Sequence, residues 1–165
     1  MRAAARLVRA ALLLSTLFWL GGCYELAETV IDLRDARELP WIEGEWHLSG
    51  QRQVLVFAGE VPNEYRYREI AGTSITTGTL RVVPLGAELF LVQAREDSGT
   101  IVALFYRLRP DGGADELEPN DRVADLAGRF GVSLGDDVDP VLSGSTGNVR
   151  AFLLAHTWEH FHRPR

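Results

Sequence analysis

Between residues 41 and 108 the chain alternates apolar with polar side chains in short segments, a pattern that restricts it to a β-sheet fold. Trp46 and Leu48, for example, alternate with Glu45 and His47. Successive side chains of a strand point to opposite faces of its sheet, so this alternation indicates half-buried strands. It recurs at 65–68, 80–82, 89–92 and 102–108, with turn-forming residues between the segments. Six to eight short strands at such close spacing predict an antiparallel meander.

Two helical patterns follow the predicted strands. The first ends before Gly131, and its apolar residues, at the spacing of one helix face, are Val123, Leu126, Ala127 and Phe130. The second begins at Ser145 or Thr146, and its face carries Val149, Phe152, Leu153 and His156. Such caps and stops predict short helices. We therefore expect a mainly β fold: a single antiparallel meander forming a small barrel or a curved sheet, with two short helices, one of them C-terminal.

The first 22 residues have the composition of a targeting segment. Arg2, Arg6 and Arg9 occur without any acidic neighbour, and an apolar run of about eleven residues, 10–20, follows them. This order of basic, apolar and small residues is that of a secretory signal peptide. A membrane-spanning helix needs about 20 apolar residues, so the run is short for one. We assign residues 1–22 to a signal peptide.

The leader ends in Leu20-Gly21-Gly22-Cys23, which resembles the lipobox of bacterial lipoproteins. The resemblance implies cleavage before Cys23 and its modification by fatty acyl groups such as palmitate, which anchor the chain in a membrane of the cell envelope. Because Tyr24 rather than aspartate follows Cys23, it also favours the periplasmic face of the outer membrane over the inner membrane. Cys23 is the sole cysteine, which leaves it no disulfide partner in the chain. The alternative is a buried thiol that follows an ordinary leader.

Residues 23–40 connect the leader to the predicted sheet. Leu26, Val30 and Leu33 lie at helical spacing, but acidic residues interrupt their face. A short helix and a flexible tether fit this segment equally well. We assign residues 23–40 to a lipidated tether and residues 41–165 to one β-rich globular domain.

The charge balance argues against two kinds of interaction. Three of the 17 basic residues precede Cys23, whereas all 23 acidic residues follow it, so residues 23–165 carry a formal charge of −9. Nucleic-acid binding requires a basic surface, and attraction to anionic lipid also requires positive charge. We expect neither nucleic-acid binding nor charge-driven membrane binding, and no motif indicates a cofactor.

One segment matches a catalytic pattern. His156-Thr157-Trp158-Glu159-His160 resembles the H-x-x-E-H motif of inverzincins, in which two histidines four residues apart on a helix hold zinc and the glutamate activates water. The resemblance implies zinc ligation by His156 and His160, with Glu159 as the base. In that family a third ligand comes from well downstream, and only five residues follow His160 here. A zinc-dependent hydrolase is therefore the alternative, and a packed or solvated chain segment without metal is what we expect.

Two further resemblances concern the sheet. Gly44-Glu45-Trp46 resembles the G-x-W signature at the first strand of lipocalins, which implies a barrel-like or strongly curved sheet. The segment Gly86-Ala87-Glu88-Leu89-Phe90-Leu91 and the C-terminal Phe152-Leu153-Leu154 are similar to those of small uncharacterised bacterial lipoproteins. That resemblance covers most of residues 39–161 and implies no activity.

Three aromatic residues of the predicted sheet are candidate binding residues: Trp46, Tyr65 and Tyr67. The tyrosines alternate with Arg66 and Arg68, so we expect one core face and one solvent face, with these arginines paired to glutamates such as Glu64 and Glu69. We expect a non-enzymatic binding or assembly role toward an apolar ligand or an envelope protein.

Overall fold

The computed structural model describes residues 23–109, 111, 113–136 and 140–162, and only the backbone of Ser49. The strands are β1 (Tyr24–Glu25), β2 (Gly44–Leu48), β3 (Arg52–Ala58), β4 (Tyr65–Ala71), β5 (Ser74–Pro84), β6 (Leu89–Glu96), β7 (Ile101–Leu108), β8 (Ala114–Glu116), β9 (Ser133–Leu134) and β10 (Leu142–Ser143). The helices are α1 (Arg122–Phe130) and α2 (Thr146–Leu154), with short 3₁₀ turns at Ser49–Gln51 and Trp158–His160.

The strands β2 to β7 form an antiparallel meander in which each strand pairs with the next one along the chain. The outer edge of β7 is shared, because β1 pairs with one half of it and β8 with the other. The result is an eight-stranded sheet, and β9 and β10 pair separately. The predicted mainly β meander with a C-terminal helix is confirmed.

The sheet curls until its two edges approach each other, but strand pairing does not close it. Among the described residues, a single bridge joins the two edges, between His47 of β2 and Gly113, the residue before β8. A side-chain ion pair between Arg52 and Glu116 crosses the same gap, which we call the seam. The curved sheet is therefore the form found, rather than a closed barrel.

The sheet has a core on each of its faces. In β6, Phe90 and Val92 belong to the core inside the curl, whereas Leu89 and Leu91 belong to a second core outside it. The outer core is covered by α1, α2 and the segment after β1, and Phe105 on β7 lies at its centre, fully buried. Both faces of β6 are therefore buried along residues 89–94, and the first four of these residues are apolar without interruption.

Residues 23–40 are part of the folded domain, which corrects the expectation of a tether. Tyr24, Leu26 and Ile31 are buried in the outer core. The buried side chain of Gln93 accepts hydrogen bonds from the backbone amides of Val30 and Ile31, each at 2.9 Å. No helix forms in this segment, because its apolar side chains and its amides are satisfied by the sheet instead.

The two helices begin and end near the expected residues, with one consequential difference. Gly131 ends α1 in the left-handed conformation (φ 64°), and the Ser145 side chain caps α2 by accepting from the amide of Asn148. However, α2 ends at Leu154, so His156 lies beyond the helix on which it was expected. None of the described helices is long and apolar enough to cross a membrane.

Candidate functional site

The interior of the curl is largely filled by its own side chains. Trp46 and Tyr67, two of the candidate binding residues, line a cavity there of about 90 Å³. An apolar cavity of about 150 Å³ accommodates a benzene molecule. The interior therefore has no room for an acyl chain or a comparable lipid.

An ionic cluster lies at the seam end of this interior. The guanidinium of Arg52 donates to Glu69 at 2.7 Å and to Glu116 at 2.9 Å. Tyr106 is buried beside the cluster, and its pKa is raised by burial and then by the negative charge of Glu116. Burial removes water from these charges, which is unfavourable. The two ion pairs of Arg52 offset this cost.

Tyr65, the third candidate, has a structural role. Its side chain is buried, and its hydroxyl accepts a hydrogen bond from the amide of Leu39 at 2.6 Å. Burial raises its pKa. Tyr65 therefore fixes the loop that leads into β2, and it does not line the interior cavity.

An open cleft lies at the end of the sheet where β2 and β6 begin and β7 ends. We call it the aromatic cleft; its volume is about 560 Å³, and its apolar walls are Trp41, Trp46, Phe90 and Leu108. The ring of Trp41 lies 6.0 Å from that of Trp46 and 5.6 Å from that of Phe90, measured between centroids. Trp46 is held in place because its indole nitrogen donates to the carbonyl of Ile42 at 2.7 Å.

Trp41 differs from its neighbours in exposure. It is 49% exposed, whereas Trp46 and Phe90 are buried. Residues 40–43 form turns and bends before β2, and this loop carries Trp41 over the end of the sheet. A half-exposed tryptophan beside two buried rings leaves an apolar surface open to a ligand.

Charged side chains complete the cleft. Glu43, Glu45 and Glu88 line it together with Arg109. Arg109 is already engaged by two aspartates, Asp111 and Asp115, whose carboxylates raise the pKa of its guanidinium. The carboxylates therefore determine the sign of the charge at this site.

Glu88 is held in an uncommon backbone conformation. Its φ of 61° lies in the left-handed region, which few residues other than glycine adopt. Its carbonyl accepts from the amide of Leu108, and its carboxylate accepts from Arg107 at 2.9 Å. The turn before β6 is thereby attached to the end of β7, on the side of the cleft.

Of the cleft residues, the sequence analysis selected only Trp46. Trp41 is the first residue of the predicted sheet region, and Phe90 alternates with core residues. The contact between the rings of Trp41 and Phe90 depends on how the sheet curls, and no local sequence pattern specifies that curvature. The glutamates between Trp41 and Trp46 were the one sequence feature that could have indicated a site here.

Cys23, the expected lipidation residue, is 4% exposed and belongs to the core inside the curl. It precedes β1, whose Tyr24 pairs with Ala103 of β7. The expected signal peptide, residues 1–22, lies outside the described residues. The thiol position thus fits the alternative interpretation of a buried cysteine, whereas an acylated cysteine would have to turn out of the sheet.

The segment 156–160 does not form the helical metal site that its pattern indicated. His156 follows α2, and His160 lies in a separate 3₁₀ turn. The Nδ1 atom of His160 accepts from the amide of Thr157 at 3.0 Å, and Glu159 lies at the surface within 3.3 Å of Arg122. Within the described residues, no three side chains of the metal-binding types come together.

His156 is instead enclosed by aromatic rings. Its ring stacks on Phe105 with the centroids 4.4 Å apart, and Phe152 and Phe161 also contact it. Its Nδ1 atom lies 3.0 Å from the carbonyl of Phe152. Burial lowers the pKa of His156 to about 4, so the ring is neutral at physiological pH.

Retention of zinc by the purified protein through dialysis is the measurement that decides the hydrolase alternative.

Comparison with known proteins identifies no relative. No protein-family model matches this chain, and neither a curated protein nor a solved structure does. The function must therefore be inferred from the chemistry of the site.

Proposed function

We propose that this chain is a membrane-anchored lipoprotein of the bacterial envelope with a non-enzymatic binding or assembly role, and that the aromatic cleft is its ligand site. The observation that carries the proposal is the half-exposed ring of Trp41 facing a concave space beside Trp46 and Phe90. Ligand sites are typically concave, apolar and about 300–1,000 Å³ in volume. The cleft, at about 560 Å³, has that size.

The cleft, rather than the interior of the curl, is the proposed location of the ligand. Trp46 and Leu108 line both spaces, so they form the wall between the open cleft and the small interior cavity. In this respect the proposed site is lipocalin-like, with a curved meander whose first long strand begins at Gly44. The proposed site differs from a lipocalin's in its position, because the ligand lies at the open end of the curled sheet, against aromatic side chains.

The anchor is proposed on Cys23. Supporting it are the order of the leader, the position of the cysteine directly after two glycines and its being the sole cysteine. Acylated Cys23 cannot occupy its buried position, because the interior cavity of about 90 Å³ is too small. In the anchored protein Cys23 therefore turns outward while Tyr24 keeps its place in the outer core.

This arrangement leaves almost no spacer between membrane and domain. Tyr24 is buried directly after the acylated residue, so the domain is held close to the lipid surface. Residue 24 is tyrosine rather than aspartate, and on this basis we place the protein at the periplasmic face of the outer membrane. Its acidic balance is also compatible with envelope proteins or small molecules as partners rather than nucleic acid.

Native mass spectrometry of protein purified from its host tests the binding role. We expect a compound or an envelope protein to co-purify with the wild-type chain and to be lost from Trp41→Ala. Phe57→Ala is the matched control, since Phe57 is a similarly exposed ring outside the cleft, and it should keep the partner. A wild-type protein that is empty and monomeric under several conditions would overturn the proposal.

A further inference from the structure

The rings of the aromatic cleft present a surface that attracts positive charge. The face of an aromatic ring carries partial negative charge, and a cation within about 6 Å of the ring is attracted to it, most strongly by tryptophan. Trp41 is 49% exposed, so part of its ring is accessible to a ligand. The second tryptophan, Trp46, and Phe90 lie against Trp41 and extend this surface.

The carboxylates of the cleft have the matching sign, and one of them is available. Glu43 makes no hydrogen bond and no ion pair with any side chain in the part of the chain that the structure describes. Glu45 accepts a hydrogen bond from the side chain of Gln53 and contacts His47 at 3.2 Å, and Glu88 pairs with Arg107. The single guanidinium of the lining, that of Arg109, is neutralised by Asp111 and Asp115.

We infer that the ligand of the aromatic cleft is an organic cation, a substituted ammonium group with apolar substituents, held over Trp41 and facing Glu43. This inference rests on the proposed binding role and specifies its ligand class. The carboxylates would repel an anion. A neutral apolar ligand would gain nothing from them and would reduce their hydration. A cation with methyl groups satisfies both the rings and the charge.

Choline and its uncharged carbon isostere, dimethylbutanol, are the probes that test this inference. They have the same shape and differ in charge. We expect titration calorimetry on the purified full-length protein to show choline binding and dimethylbutanol binding about tenfold more weakly or not at all. Added salt should weaken the choline complex, since screening reduces the attraction between exposed charges.

Variants assign the binding to the cleft. Trp41→Ala and Glu43→Gln should each weaken choline binding about tenfold. Both side chains are exposed, so the fold should be retained, and thermal unfolding checks this. Phe57→Ala and Glu60→Gln are the matched controls, an exposed ring and an exposed carboxylate outside the cleft, and should bind as the wild type does.

Two results would overturn the inference. In one, choline and dimethylbutanol bind equally well, and in the other choline does not bind or binds equally to Trp41→Ala. Native mass spectrometry separates this failure from that of the proposed function. A neutral compound that co-purifies and is lost from Trp41→Ala would contradict the cation and leave the cleft as the site. An empty protein would contradict both.

Discussion

The ring of Tyr24 lies edge-on to the ring of His156, with their centroids 6.0 Å apart, so the residue that follows Cys23 packs on the C-terminal segment of the chain. The Tyr24 hydroxyl and the Nε2 atom of His156 are both buried, and neither has a hydrogen-bond partner among the described residues. The environment that encloses His156 therefore accommodates a neutral imidazole, and the carbonyl of Phe152 at Nδ1 does not offset the cost of burying a charged one.

Stability should fall on mild acidification because of His156. Burial lowers its pKa from an ordinary value of 6.5 to about 4 in the folded state. The unfolded chain thus takes up the proton first as the pH falls. The stabilising effect of the neutral ring is complete above about pH 6.5 and is lost progressively toward pH 4. Between pH 7 and pH 5 we expect the free energy of unfolding to fall by about 2 kcal/mol, as measured by urea denaturation.

His156→Phe isolates this effect from other titrating groups. The phenyl ring fits among the surrounding aromatic residues and has no titrating nitrogen, so the loss between pH 7 and pH 5 should largely disappear. His47→Gln is the control, because it removes a histidine at an exposed position, and the loss assigned to His156 should persist in this variant. An unchanged pH dependence in His156→Phe would contradict the assignment.

Trp46→Ala should destabilise the domain by roughly 3–5 kcal/mol. Trp46 is buried at the wall between the interior and the cleft, and its indole nitrogen donates to Ile42. Trp41→Ala, its exposed neighbour in the same cleft, should cost less than about 1 kcal/mol. Chemical denaturation compares the two, and equal small effects would place Trp46 outside the core.

Ile31→Ala tests whether residues 23–40 belong to the fold. Ile31 is fully buried in the outer core, and truncating a buried isoleucine costs about 2–5 kcal/mol. Val61→Ala, at an exposed position, should change the free energy of unfolding by less than about 0.5 kcal/mol. If the two variants were equally stable, the segment would be a tether after all.

The ionic cluster at the seam gives a prediction on electrostatics. Arg52→Leu leaves Glu69 and Glu116 facing each other without the guanidinium that they share. We expect a loss of about 2 kcal/mol, between the values for exposed and fully buried ion pairs. Adding Glu69→Gln should recover part of it. The exposed Arg66, 3.9 Å from Asp97, is the control, and Arg66→Leu should have almost no effect.

The meander could be predicted because its signal is local. Alternation within each strand and the turn residues between strands are local features of the sequence, and the order of β2 to β7 follows from them. Gly131 ended α1 as expected for the same reason. The position at which the two sheet edges meet could not be predicted, because the bridge between His47 and Gly113 joins residues far apart in the chain.

The predictions that failed each depended on distant contacts. Residues 23–40 resembled a tether because Gln93, whose side chain binds the amides of Val30 and Ile31, lies more than sixty positions further along the chain. The helical spacing of His156 with α2 came from its burial among aromatic rings, not from a continued helix. For His156 the apolar pattern predicted burial correctly and the local backbone wrongly, whereas for residues 23–40 the burial itself was not predicted.

The arginine pairs followed the same rule. Arg66 and Arg68 were expected to pair with glutamates such as Glu64 and Glu69. Instead Glu64 pairs with Arg81 and Glu69 with Arg52. Both pairs join neighbouring strands of the sheet. Side chains on adjacent strands come closer than successive ones on a single strand, which point to opposite faces.

Cys23→Ser tests the anchor in the cell. Without the thiol no acyl group can be attached, so the protein should move from the membrane fraction to the soluble fraction. The substitution replaces only one atom of a small buried side chain, and the folded domain should remain, as judged by its thermal unfolding. Continued tight membrane attachment of Cys23→Ser would reject lipidation.

Intact mass spectrometry of the protein extracted from membranes of its host tests the central claim most directly. If the chain is an envelope lipoprotein, its first residue is Cys23, its mass exceeds that of residues 23–165 by fatty acyl groups, and fragmentation places the added mass on Cys23. A chain in which residues 1–22 are still joined to an unmodified Cys23 would contradict the account.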